Sequence, residues 1–149
     1  MSDTEDAVPT LVDSNVLLDI VTEDPVWADW SSESLAEAVD SGGAVINPII
    51  YAEVSVGFDS VETLDEVLPT AQIGRELLPY SAGFLAGKAF LAYRRAGGSR
   101  PTPLPDFYIG AHASVAGYRL LTRDVQRYRT YFPRLALITP DPFRPDGSS

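Results

Sequence analysis

Short apolar runs alternate along the chain with longer stretches in which apolar side chains recur at helical spacing. "TLVD" (10–13), "AVIN" (44–47), "RELLP" (75–79), "RLLT" (119–122) and "LALITP" (135–140) read as short buried strands. "SNVLLDIV" (14–21) sets Val16, Leu17, Ile20 and Val21 on one helical face. In "DPVWADWSSESLAEAVDSGG" (24–43), Pro25 suits a helix's first turn and Gly42–Gly43 its end. Pro48 opens a helix over 48–58, and the serine before "VETLDEVL" caps another over 60–68. The longest helical pattern, 81–98, closes on two glycines, and "SRPTPLP" (99–105) holds too many prolines for regular structure. A helix from Asp106 to about Tyr118 follows.

This alternation predicts an α/β fold: right-handed crossovers building a mostly parallel sheet of about five strands, with helices on both faces. Ligands of such folds sit beyond the carboxyl ends of the strands, where strand order reverses. Neither an internal repeat nor a composition break divides the chain. The expectation is one domain over 10–140, with a flexible acidic tail at 1–9 and a flexible C-terminal tail at 141–149.

Composition narrows the possible functions. Hydrophobic residues are 45% and charged residues 21%, which excludes a wholly disordered chain. No apolar run spans a bilayer, and the acidic start "MSDTEDAVPT" is unlike a signal or transit peptide, so a cytoplasmic protein without membrane contact is expected. With no cysteine, thiol catalysis, disulfides and cysteine metal ligands are out. The net charge of −10 is unevenly spread: residues 1–74 hold sixteen acids and no Lys or Arg, residues 75–149 eleven bases and five acids. That asymmetry suits two different partner surfaces, or simply solvated acidic helices.

Four acids stand out on this frame. Asp13 ends the first strand and Asp124 follows the fourth, so both belong on one sheet edge. Asp106 opens a helix after the proline segment, and Glu53 sits mid-helix among apolar neighbours. Singly, each has a structural explanation: caps for Asp13 and Asp106, a turn for Asp124, solvation for Glu53. Together they would repel one another, a cost that a hard divalent cation with oxygen ligands removes.

"LVDSNVLLDI", "NPIIYAEVSVGF", "LPDFYIGAHA" and "LLTRDVQRYRTYFPRLALITP" resemble, in order and spacing, the four acidic blocks of PIN-domain nucleases, more narrowly VapC-type toxins of type II toxin–antitoxin pairs. The resemblance runs over about 10–140 and implies a three-layer α/β/α sandwich with a parallel sheet. It implies a Mg²⁺-dependent endoribonuclease, Mn²⁺ serving as well, whose catalytic and metal-binding quartet is Asp13, Glu53, Asp106 and Asp124. Asn15 and Thr122 match polar positions that support the acids or the metal. The block after Asp106 is bulkier than usual in Phe107, Tyr108 and Ile109, which bears on substrate choice and not on chemistry.

Arg94, Arg95 and Arg100 precede the Asp106 block, and Arg119, Arg123, Arg127 and Arg129 surround Asp124 in sequence; these are candidate RNA phosphate contacts. Tyr108, Tyr128 and Tyr131 are either base-stacking or core residues, and His112 reads as a packed helix residue. Asp106 is expected to cap its helix as well as bind metal, with Gly110, Ala113 and Gly117 letting that helix lie close to the sheet. The resemblance further implies a cognate antitoxin and a homodimer; Trp27, Trp30 and Leu35 are the candidate antitoxin surface. The alternatives are a PIN nuclease of RNA maturation or quality control without an antitoxin, and a non-cleaving RNA-binding module.

Overall fold

A computed structural model describes residues 8–100 and 104–140; residues 1–7 of the expected N-terminal tail, the centre of the proline segment and the expected C-terminal tail lie outside the described residues. The elements run β1 (Thr10–Val12), α1 (Ser14–Val21), α2 (Ala28–Asp40), β2 (Ala44–Ile46), α3 (Pro48–Ser55), α4 (Val61–Val67), β3 (Ile73–Arg75), α5 (Tyr80–Arg95), α6 (Pro105–Ala116), β4 (Arg119–Leu121), α7 (Val125–Tyr131) and β5 (Leu137–Ile138). The strands form one all-parallel sheet in the order β3-β2-β1-β4-β5. Helices flank it in a three-layer α/β/α arrangement. Among the described residues, no helix is long and apolar enough to cross a membrane.

β1 and β2 are buried throughout and β4 is buried beyond its first residue, Arg119, which is why they read as short apolar runs: Leu11, Val12, Ile46, Leu120 and Leu121 are fully enclosed. The chain builds outward from β1 to β2 and β3, then returns to pair β4 on the other side of β1. Strand order therefore reverses between β1 and β4, and the crevice lies beyond their carboxyl ends, where Asp13 and Thr122 stand.

Local chemistry sets the helix ends. Asn47 caps α3 by accepting from the Ile50 N–H at 2.9 Å, with Pro48 in the first turn, and Ser60 caps α4 through Thr63 N–H. Gly117 takes a left-handed conformation, φ 74°, and closes α6.

Several expectations shift. Pro25 lies in a turn before α2 rather than in its first turn; Asp24 accepts from Val26 and Trp27 N–H and delays the helix to Ala28. The third strand is 73–75, not 75–79: Leu77 is 85% exposed, so the apolar pair after Arg75 is not a strand core. An extra helix, α7, follows Asp124, which is its N-cap. Gly117 serves as the α6 end, while Gly110 is the close-contact residue: a side chain there would strike the Phe132 ring.

Candidate active site

The end of β1 delivers Asp13 into the crevice, 3% exposed. Its carboxylate accepts from the Ser14 N–H at 2.7 Å, the Thr122 hydroxyl at 2.8 Å and the Tyr128 hydroxyl at 3.0 Å. Burial pushes its pKa up to about 6, with the negative Asp106 adding and the donors opposing. Thr122, just past β4, binds three elements at once. Its hydroxyl donates to Asp13 and accepts from the Asn15 amide at 3.2 Å and the Asp124 N–H at 3.0 Å. Asn15 in turn accepts from the Arg123 N–H at 3.3 Å.

Glu53 projects from α3 and accepts from the Ser14 hydroxyl at 2.7 Å. Burial raises its pKa, and the Ser14 bond offsets part of the rise, with Asp106 repulsion adding to it. Asp106 does not cap α6: Leu104 occupies the cap position and makes no side-chain bond, so Asp106 sits in the first turn instead. The dipole there still favours an anion. Its carboxylate contacts the Tyr128 hydroxyl at 3.2 Å and forms an ion pair with Arg127. Arg127 Nε lies 3.8 Å from Asp124 as well, so one guanidinium stands between two acids. Glu53, Asp106 and Asp124 all line one cleft of about 620 Å³ beside the buried Asp13.

The four acids thus meet at one edge of the sheet, as their sequence positions suggested. No three of them lie within direct metal-binding range of one point among the described residues. The donor set still fits a hard divalent cation: all oxygen, four carboxylates, two of them with pKa raised by burial, and only one arginine set against the other two.

The sequence reading offers Tyr128 as a base-stacking or core residue and misses its bonds to the acids; it misses Asp19 altogether. Tyr128, fully buried on α7, places its hydroxyl between Asp13 and Asp106. Burial and both negative charges raise its pKa well above the ordinary value, so it stays protonated as a donor. Asp19, 3% exposed on α1, accepts from the Ser31 hydroxyl at 2.8 Å and from Arg123 at 2.7 and 2.9 Å. Arg123 also lies 5.0 Å over the Trp27 ring. It therefore clamps the β4–α7 loop onto α1. A helix-face argument would have found Asp19 only through its long-range partner.

The remaining arginines divide. Arg100 and Arg127 line the cleft. Arg119 begins β4, at the far end of the strand, where it donates to Ser41 C=O, and Arg129 donates to Leu135 C=O. Arg94 lies 5.8 Å over Phe90, and Arg95 is exposed. His112 is packed in the core, as expected, 3.0 Å from the Asn47 amide; burial lowers its pKa, with Glu76 opposing. Trp27 and Trp30 pack edge to face, half-buried.

The sequence matches no curated protein. The fold is shared with VapBC2 of Rickettsia felis, solved with a promoter DNA fragment: TM-score 0.70, 17% identity, 90% of this chain and 100% of that one. VapBC-1 of nontypeable Haemophilus influenzae aligns at TM-score 0.66 and 20% identity over 89% of this chain and 98% of that one. A toxin–antitoxin complex from Klebsiella pneumoniae gives 0.65 and 18% over 90% and 99%. At those identities the likeness establishes architecture. The lineage comes from the sequence itself: residues 10–133 match the PIN domain model, and the chain belongs to the PIN-domain family.

Proposed function

We propose that this chain is a VapC-type toxin, an endoribonuclease that hydrolyses RNA phosphodiester bonds with Mg²⁺ or Mn²⁺. The observation that carries the reading is the gathering of Glu53, Asp106 and Asp124 in one cleft beside buried Asp13, at the point where strand order reverses. PIN-family membership supports nuclease chemistry. That the similar folds come from toxin–antitoxin complexes supports the toxin role and an antitoxin partner; a homodimer completes the proposal.

Asp13, Glu53, Asp106 and Asp124 would hold the cation. When bound, such an ion supplies a water of lowered pKa and neutralises charge developing on the phosphate oxygens. The chain's own residues do the positioning. Ser14 fixes the Glu53 carboxylate, Thr122 and Tyr128 fix Asp13, and Tyr128 holds Asp106 level with it. Asn15 locks Thr122, so the β1 and β4 ends keep their relative place. Arg127 offsets one of the two charges on Asp106 and Asp124 in the resting protein and is within reach of a phosphate entering the cleft. Arg100 adds a second cation on the same rim.

The test is expression of wild type and Asp106→Asn in cells, with new RNA 5′ ends mapped. Growth arrest and new ends with wild type only, and EDTA-sensitive cleavage by the purified protein, are expected. New ends that persist in the variant would refute the metal site.

A further inference from the structure

The cleft has a second wall that the acids do not use. Tyr93 of α5 and Tyr131 of α7 form it, with Phe107 beneath them and Gln126 on the rim. Phe107 is buried and meets both rings edge-on, 5.6 Å from Tyr93 and 5.3 Å from Tyr131. The two tyrosines stand 6.3 Å apart at 69°. Phe90 stacks behind Tyr93 at 6.0 Å, and the Gly98 backbone lies so close to the Tyr93 ring that any side chain at 98 would collide with it. Three helices and one glycine therefore fix two half-buried aromatic rings at the edge of an acid-lined cleft. Rings held this way lose little freedom when a flat ligand stacks on them. Gln126 is exposed on the same rim, and its amide offers one donor group and one acceptor.

We infer that this wall is a nucleobase subsite: an unpaired base next to the cleaved bond packs on Tyr93 and Tyr131 while Gln126 reads its edge. The inference rests on the nuclease reading for its substrate. The adjoining groups favour a nucleotide over other flat ligands, because Arg100 and Arg127 lie in the same cleft to take the flanking phosphates. A duplex keeps its bases stacked and its edges paired, so the subsite selects single-stranded RNA.

The probe is a pool of single-stranded 12-nucleotide RNAs of random sequence in Mg²⁺, with cleavage kinetics followed and the products sequenced. Wild type is expected to prefer particular bases at one position beside the cut. Tyr93→Leu keeps apolar bulk without a stacking face, and Tyr131→Leu does the same; each raises KM about 5- to 150-fold. Tyr93→Phe stays near wild type. Gly98→Ala, which displaces the Tyr93 ring, follows Tyr93→Leu, and Gln126→Ala flattens the base preference with a smaller change in rate. Tyr80→Ala, 99% exposed and outside the cleft, is the neutral control. Thermal melts confirm that each variant folds. If wild type cuts while Tyr93→Leu and Tyr131→Leu match it in KM and base preference, the subsite is overturned and the nuclease reading stands. If wild type cuts no RNA in Mg²⁺ or Mn²⁺, the nuclease reading falls and takes the subsite with it.

Discussion

Replacing Asp13 with asparagine should stabilise the metal-free protein. The fold raises the Asp13 pKa from 3.8 to about 6, chiefly by burial. At about 1.4 kcal/mol per tenfold change in proton affinity, keeping the carboxylate ionised in the fold costs about 3 kcal/mol at pH 7.5. Asparagine is neutral and nearly isosteric, so it removes that cost. One hydrogen bond is lost in exchange. The Tyr128 hydroxyl can turn to accept from the new amide, but Thr122 Oγ1 already accepts from Asn15 and from the Asp124 N–H. Losing that contact costs about 1 kcal/mol, leaving a net gain of about 2 kcal/mol. For a chain of this size that is roughly 6 °C in Tm. The pH dependence has a definite sign. A raised carboxyl pKa favours folding below the unfolded value and loses that contribution as pH climbs through about 6. The advantage of Asp13→Asn should therefore be largest at pH 7.5 and shrink to roughly 2 °C at pH 5. Differential scanning fluorimetry in EDTA across that range measures it, and added Mg²⁺ should raise wild type more than the variant. A variant that melts at or below wild type in EDTA at pH 7.5, with no pH trend, would refute the reasoning.

Other consequences follow from the same contacts. Arg127→Ala frees Asp106 and Asp124, so less Mg²⁺ should be needed for half-maximal cleavage while KM for RNA rises severalfold; a metal titration of initial rates separates the two. Tyr128→Phe removes the donor between Asp13 and Asp106, and should cost about 1.5–3 kcal/mol in urea denaturation and lower kcat. Arg123→Ala leaves Asp19 buried with only Ser31 for company, a loss of about 2–3 kcal/mol by the same assay. Gly110→Ala forces a methyl into the Phe132 ring and should cost about 1–3 kcal/mol without changing the metal requirement.

Elements whose signals were local were legible in the sequence. β1, β2 and β4 announce themselves because strands buried on both faces are mostly apolar, with Thr10 and Arg119 only at the strand starts. The start of α3 is written in Asn47 and Pro48. β3 was misplaced because its own residues, Ile73–Arg75, include a glycine and an arginine, while the apolar Leu77 beyond them faces solvent. α7 was missed because "VQRYRTY" is mostly polar and buries only Tyr128. The acids could be placed because each follows a strand or sits in a recognisable helix. The resemblance named Asn15 and Thr122 as their supports, but the other partners could not be read. Tyr128 reaches Asp13 across 115 residues and Arg123 reaches Asp19 across 104, and no periodicity encodes such partnerships. The clamp made by Arg123 was hidden for that reason, since an arginine that holds the β4–α7 loop and one that faces solvent beside it are identical in sequence.

Crystals grown or soaked with Mn²⁺, and examined by anomalous scattering, test the central claim most directly. The account predicts a metal peak beyond the carboxyl ends of β1 and β4, coordinated by Asp13 and Asp106 with Glu53 or Asp124 completing the shell, and Arg127 withdrawn from Asp106. Manganese bound elsewhere, or an undisturbed Arg127–Asp106 pair at saturating Mn²⁺, would contradict it.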